Sequence, residues 1–412
     1  MQASKVLYLI TDDFPIGGKE PYLVDELPQL KKVFQEIIFV TTLPGLSSSM
    51  EARKHIHISF PNSLANKLSG FLGIFHSSVN TEILNLIRNR ELSFYKVKLL
   101  LSYFQRAKRI RQEILKHSSK FHQGEHLTFY SYWCDERALA VSLLKQKKFS
   151  TGISRAHGWD IYSERNPENY LPFRPWLLKN LDILVCISEN GKKYLEQKYG
   201  QLGKDKTEIH RLGSSRLNKI PTKQGDQPFI LLSIAYAVPL KRLGKIIEAL
   251  NFSQNEKIKW IHLGGGPEID NLIQLNKRLN ENKLNIQTEF WGNVSHEHIL
   301  NFLENNYVDL FVNVSETEGL PVSIMEAMSA QIPCIATDVG GSGEIVNSSN
   351  GYLVPVGISN ESLWKLIQNH YNLGHEQCVQ MRNQAYGTWK EKYSSEKNYF
   401  SFAERLNSLN LN

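Results

Sequence analysis

Ser315-Glu316-Thr317-Glu318-Gly319-Leu320-Pro321-Val322-Ser323-Ile324-Met325-Glu326-Ala327-Met328 sets two carboxylates, Glu318 and Glu326, eight positions apart across a predicted helix start. The run before it, Val308 to Val314, is short, apolar and β-branched, which predicts a buried strand. Pro321 suits the first helical turn, where its missing N–H costs nothing. Glu318 is then a loop residue, and Glu326 lies about a turn and a half into the helix, on the side of Val322 and Ala330. A second strand from Ile332 to Val339 ends in Gly340-Gly341-Ser342-Gly343-Glu344. Both loops then reach the carboxyl edge of a parallel sheet, where open α/β folds bind ligands. The N–H groups of the helix start suit an anionic or hydroxyl-rich ligand, and a fixed carboxylate can accept hydrogen bonds from two vicinal hydroxyls of a sugar or ribose. The plainer alternative makes Glu318 a first-turn acid and Glu326 an exposed helix residue.

The chain has 412 residues, 41% of them apolar, enough for two domains with separate cores. It has no run of eighteen apolar residues, and Lys5 to Ile10 is too short for a signal peptide and reads as a first strand. Cys134, Cys186, Cys334 and Cys378 lack metal-ligand spacing and fit reduced thiols in a cytoplasmic protein. The net charge of +7 is uneven: residues 1–220 carry 33 Lys and Arg against 21 Asp and Glu, whereas 221–412 carry 15 against 20. Basic residues are densest from Lys96 to Lys120, where Leu100, Phe104, Ala107, Ile110 and Ile114 recur at helical spacing. Such a basic helix can lie on an anionic membrane surface of the cytoplasmic face, helped by the apolar segment Leu68 to Phe75, or pack into a core with a solvated basic face. No nucleic-acid-binding signature accompanies the charge, so nucleic acid is not an expected partner.

Strand-like runs at Lys5 to Ile10, Ile37 to Thr42, Leu127 to Trp133 and Ile183 to Ile187 alternate with helical periodicity, which predicts a parallel sheet. Residues 212–228 turn to Gly, Ser, Pro, Lys and Gln and read as a linker. A second series follows: strand Phe229 to Ile234, helix Leu243 to Leu250, strand Lys259 to Leu263, a helix to about Asn280, strand Thr288 to Trp291 and helix His296 to Asn305. Further helices are expected near Cys378 to Trp389 and Ser395 to Leu406.

Gly17-Gly18-Lys19 follows the first strand and precedes a helix, where a backbone can approach a phosphate; a simple turn explains it equally well. Arg155-Ala156-His157-Gly158-Trp159-Asp160 places a His and an Asp three apart at a probable strand end. Lys241 and Arg242 stand at a helix start, where cations are disfavoured unless an anion is near. Gly264-Gly265-Gly266 and Trp291-Gly292-Asn293-Val294 are turns at strand ends. No metal-binding D-x-D string stands at a suitable strand end.

Glu318 and Glu326, with Gly319-Leu320-Pro321 between them and Asp338-Val339-Gly340-Gly341 after them, resemble the E-x7-E signature of family 4 retaining glycosyltransferases (glycosyl transferases group 1). The resemblance is strongest from Ile230 to Val356. It implies the GT-B fold, an α/β architecture of two Rossmann-like parallel-sheet domains facing a cleft. Residues 1–218 would form the acceptor domain and 219–385 the nucleotide-sugar donor domain, with a helix at about 386–412 crossing back to the first. It implies Glu326 on the ribose, Lys241 on the phosphates, where Arg242 beside it would compensate for a missing family arginine, and Glu318 with Gly319, Leu320 and Pro321 at the sugar. Gly265, Asn293 and Val294 would lie at the nucleotide, and Gly17, Gly18 and Lys19 near the diphosphate and acceptor. His157 would contact the transferred sugar, and Asp160 would orient the acceptor or the loop. Ala235 stands where the family often has a second phosphate-binding arginine. The implied activity is metal-independent, retaining transfer from a nucleotide-diphosphate sugar to a glycan or lipid-linked saccharide, as in surface polysaccharide or lipopolysaccharide biosynthesis. A sugar-nucleotide epimerase or hydrolase and a non-catalytic basic binding module are the alternatives.

Overall fold

A computed structural model describes residues 5–17, 20–43, 53–60, 76–145, 150–225, 227–280 and 283–409. The chain divides into two compact units, Met1–Arg211 with Tyr399–Asn412, and Leu212–Asn398.

The first unit is built on strands β1 (Lys5–Thr11), β2 (Glu36–Thr41), β3 (His55–His57), β4 (His126–Ser131), β5 (Ser150–Ala156), β6 (Ile183–Cys186) and β7 (Thr207–Ile209), in the order β3-β2-β1-β4-β5-β6-β7. All neighbours are parallel. Helices Phe94–Phe121 and Glu136–Leu144 pack Phe104, Ile110, Ile114, Leu139 and Leu143 onto one face. The other face is covered by Leu23 and Leu30 of helix Leu23–Val33 and by Phe402, Ala403 and Leu406 near the end of the chain. Coverage of both faces explains why the strands read as continuous apolar runs.

The second unit repeats the plan with β8 (Phe229–Ile234), β9 (Ile258–Leu263), β10 (Ile286–Phe290), β11 (Leu310–Asn313), β12 (Cys334–Thr337) and β13 (Gly351–Val354), in the order β10-β9-β8-β11-β12-β13. The order reverses between β8 and β11, where Leu310 lies beside Leu231, just as it reverses between β1 and β4 in the first unit. Loops leaving the carboxyl ends of such a strand pair run to opposite sides and leave a crevice.

The structure differs from the sequence expectations in specific places. β5 holds Arg155, fully buried and ion-paired with the equally buried Glu26 of helix Leu23–Val33, so an unpromising polar string forms an interior strand. Pro321 stands one position before its helix, Val322–Ser329, in an extended conformation. The apolar stripe of helix Phe94–Phe121 lies in the core, with Arg106, Lys108, Arg109, Lys116 and Lys120 left exposed, so that stripe is not available to a membrane. The segment Leu68 to Phe75, together with Gly18 and Lys19, lies outside the described residues. Among the described residues no helix is long and apolar enough to cross a membrane.

Two buried histidines of the second unit carry a pH signature. Burial pushes His262 in β9 and His370 in helix Asn360–Tyr371 down to about 4 against partial support from neighbouring hydrogen bonds. Both rings are neutral in the folded state, while the unfolded chain binds more protons between about pH 6.5 and 4. Their contribution to stability is therefore full above that window and lost as pH falls through it. Urea unfolding at pH 5 is expected to show about 2 kcal/mol less stability per histidine than at pH 7, and His370→Gln to remove its share of that slope.

Candidate functional site

In the second unit the sequence-predicted residues converge at the β8/β11 reversal. After β8 the chain makes a short turn, Pro239–Lys241, and Arg242 follows with a left-handed backbone (φ 48°). Its Nε donates to the carbonyl of Val314 at 2.7 Å, Nη1 to Val356 at 2.6 Å and Nη2 to Ser315 at 3.4 Å. The Glu316 N–H donates to the Leu240 carbonyl at 2.8 Å. The loop after β8 is thus tied to the one after β11. The Arg242 guanidinium is engaged with backbone carbonyls, and Lys241 is the cation that meets an acidic side chain. Lys241 Nζ lies 2.6 Å from Glu318 Oε1, which also accepts from Asn313 Nδ2 at 3.1 Å.

Glu318 is kept in this position by its backbone as well. Gly340, after β12, has φ +57°, and a Cβ there would lie 1.9 Å from the Glu318 carbonyl oxygen. The neighbouring Gly341 N–H donates to the Gly319 carbonyl at 2.7 Å. Leu320 and Pro321 are buried, and Pro321 offers no side-chain oxygen to cap helix Val322–Ser329, which leaves the N–H groups of its first turn without a side-chain cap. Glu326, in that helix, is only 2% exposed, and its Oε1 lies 2.7 Å from His296 Nε2. The carboxylate is interior and has a fixed partner.

Two further loops join this edge. Gly264 N–H donates to the Gly292 carbonyl at 3.0 Å, and Ala237 N–H to the Gly265 carbonyl at 2.7 Å. A Cβ at Gly265 would lie 2.2 Å from Asn293 Oδ1, so Asn293 lies directly against that glycine. Val294 continues the loop to Ser295, whose hydroxyl caps helix His296–Asn305.

The first unit gathers the remaining candidates. The His157 ring packs against Tyr132 and Trp133, with centroids 4.7 and 4.4 Å away. Its Nδ1 stands 3.6 Å from Asp160 Oδ2, and among the described residues neither ring nitrogen has a hydrogen-bond partner. Asp160 is fully buried, and accepts from the N–H groups of His157 at 2.6 Å and Cys134 at 3.0 Å. Burial alone would raise the Asp160 carboxyl, but the His157 ring and these N–H groups hold it below the ordinary value. Its contacts are those of a residue that orients the loop, and Arg174 reinforces them by donating to the carbonyls of Asp160 and Cys134 at 2.6 and 2.5 Å. Gly17 N–H donates to the Asp13 carbonyl at 2.9 Å. That loop is organised by Glu20, whose carboxylate accepts from the N–H groups of Asp12, Asp13 and Phe14 and from Trp133 Nε1 at 2.9 Å.

Glu20, Arg174, His296 and Asn313 were not among the sequence candidates. Glu20 stands two positions after Gly18, and Ser295 is a recognisable cap, but no spacing rule pairs His296 with Glu326 thirty residues on.

Residues 215–388 match the family described as glycosyl transferases group 1. The match spans 174 of the 412 residues and lies within the second unit. An uncharacterized glycosyltransferase of Methanocaldococcus jannaschii is 26% identical over 244 residues, 58% of this chain and 64% of the relative. The N-acetyl-alpha-D-glucosaminyl L-malate synthase of Bacillus anthracis is 31% identical over 130 residues, 31% of this chain and 32% of that enzyme. The O-antigen biosynthesis glycosyltransferase WbnH of Escherichia coli is 40% identical over 94 residues, 23% of this chain and 25% of WbnH. The chain spans less than two-thirds of the length of these relatives.

Among solved structures, the sucrose-phosphate synthase of Thermosynechococcus elongatus superposes with a TM-score of 0.70 at 14% identity, covering 98% of this chain and 99% of that one. HepE of Anabaena in complex with UDP and glucose gives 0.65 at 17% identity, covering 98% and 100%. At such identities the likeness is one of fold: two Rossmann-like parallel-sheet units, as in GT-B glycosyltransferases.

The second unit offers a direct check on the loop packing. Gly340→Ala meets both a left-handed backbone, worth about 1–2 kcal/mol, and the Glu318 carbonyl. Gly387, inside helix His375–Lys392, has open space around its Cβ position. Denaturant titration is expected to show Gly340→Ala destabilised by at least that amount and Gly387→Ala stabilised by about 0.5–1 kcal/mol.

Proposed function

We propose that this chain is a retaining glycosyltransferase of the family 4 type, moving a sugar from a nucleoside-diphosphate donor to a hydroxyl of a glycan or lipid-linked saccharide. The observation that carries the reading is the pairing at the β8/β11 reversal. Lys241 and Glu318 meet at 2.6 Å, and the interior Glu326 stands in the helix that follows.

The proposed roles follow from the chemistry of these groups. Breaking the glycosidic bond leaves the bonding pair on the diphosphate, so a cation beside it lowers the barrier. Lys241 and the uncapped start of helix Val322–Ser329 are assigned that task. Ground-state pairing with Glu318 keeps the ammonium in place, and an incoming phosphate would exchange one anionic partner for another. Glu318, with Gly319, Leu320 and Pro321, is assigned to the sugar hydroxyls, and Glu326 to the ribose diol, whose two hydroxyls a fixed carboxylate can accept together. His296 is bonded to one Glu326 oxygen, and the diol is assigned to the other. Gly265, Asn293 and Val294 are assigned to the nucleotide.

For the first unit the proposal assigns His157 to the transferred sugar, Asp160 to the loop that carries it, and the Gly17 loop to the diphosphate and acceptor. Retention and independence from a metal rest on the family 4 resemblance. The UDP and glucose of the HepE structure support a nucleotide sugar as donor, and the O-antigen assignment of WbnH supports a surface polysaccharide as product. We assign the protein to the cytoplasmic side of a membrane that holds the acceptor.

A thermal-shift panel of nucleoside diphosphates and their sugar conjugates tests this reading. At a hundredfold excess over its dissociation constant the correct nucleotide is expected to stabilise the wild type by about 2.7 kcal/mol. Lys241→Ala should lose most of that shift for the diphosphate and little of the smaller shift given by the parent nucleoside. No shift with any nucleotide would sink the donor-site assignment.

A further inference from the structure

The turn between helices Ser77–Arg88 and Phe94–Phe121 displays apolar side chains to water. Leu84, Ile87, Leu92 and Tyr95 are between 38 and 52% exposed, and Phe94 is 86% exposed. Single exposed apolar residues are ordinary, but five around one turn are not. The turn is also held rigidly. Helix Ser77–Arg88 ends in two nested hydrogen bonds, Glu91 N–H to the Leu86 carbonyl at 2.8 Å and Arg90 N–H to the Ile87 carbonyl at 3.0 Å. This termination places Arg90 at φ +58°, a position normally taken by glycine. Below the turn, Lys96 is ion-paired with Glu91 at 3.0 Å and lies over the Tyr170 ring, and Ser93, which caps the second helix, is bonded to Glu168. These contacts hold the turn in the conformation that turns the apolar side chains outward.

Charge narrows the choice of what covers them. Arg88, Arg90 and Lys98 are exposed around the same turn, and the two carboxylates beside it each have a partner, Glu91 in Lys96 and Glu168 in Ser93. A second copy packed through this surface about a twofold axis would set the arginines against themselves. Nucleic acid would use the cations but leave the leucines and isoleucine without a role. A bilayer with anionic headgroups satisfies both, with arginines at the phosphates and apolar tips in the acyl boundary.

We propose that residues 84–98 form a docking surface for an anionic lipid bilayer. This sharpens the membrane side of the proposed function and moves it from the basic face of helix Phe94–Phe121 to its amino-terminal tip. It does not depend on the donor site.

The test is co-sedimentation of the full chain with vesicles of phosphatidylcholine alone or mixed with phosphatidylglycerol. The wild type is expected to pellet with the anionic vesicles and only weakly with the neutral ones. Phe94→Ser should lower the partition coefficient about tenfold, and Arg88→Glu with Arg90→Glu should lose about fivefold or more per residue. Both variants should retain the wild-type melting temperature and its nucleotide-induced shift, which separates loss of docking from failure of the donor assignment. Wild-type pelleting by both variants overturns the inference, as does equal binding to both vesicle types. Dimerisation abolished by Phe94→Ser without vesicle binding, or binding of an oligonucleotide in place of vesicles, also overturns it.

Discussion

Parallel pairing is the constraint on which both units depend. Because the strands named in each sheet run the same way, every strand-to-helix loop emerges at the same edge, and the reversals at β1/β4 and β8/β11 force neighbouring loops apart. The candidate residues are far apart in sequence and meet for this reason alone. Lys241 arrives on the loop after β8, Gly265 after β9, Asn293 after β10, Glu318 after β11 and Gly340 after β12. The Arg242 guanidinium ties the loop after β8 to those after β11 and β13 by donating to the carbonyls of Val314 and Val356.

The same economy governs charge. Glu326 is buried and Glu318 half-buried, and each has a fixed partner, His296 and Lys241. Pairing reduces the cost of burying a carboxylate and holds it in one orientation before a ligand arrives. In the first unit Glu20 plays the equivalent part with backbone N–H groups, joining the glycine loop to Trp133 and, through ring packing, to His157. The buried Arg155–Glu26 pair, enclosed by Tyr130, Tyr132, Tyr399 and Phe402, lies directly behind that histidine loop along β5.

Legibility in the sequence followed the strength of the local signal. Strand Phe229–Ile234 and helix His296–Asn305 are bounded as their apolar patterns predict, because each carries a complete local signature and a cap or breaker at its ends. β5 was only glimpsed at its end: Ser150-Thr151-Gly152-Ile153-Ser154-Arg155-Ala156 has one large apolar residue, and its strand character depends on Glu26 from a distant helix. β7 and β13 are too short to show a period, and helix Ser77–Arg88 opens on a polar string. Of the site, the glutamates and glycines were visible because their spacing is local. Asn313 and His296 were invisible, since what makes them partners of Glu318 and Glu326 is the folded sheet edge.

The central claim is that Glu326 holds the ribose of a nucleoside diphosphate. Calorimetric titration of the preferred nucleoside diphosphate and its 2′-deoxy analogue into the wild type and Glu326→Ala measures that contact as a double cycle. The account predicts that removing the 2′-hydroxyl weakens wild-type binding at least tenfold, about 1.4 kcal/mol, and has little effect on the variant. An equal penalty in both proteins would contradict it.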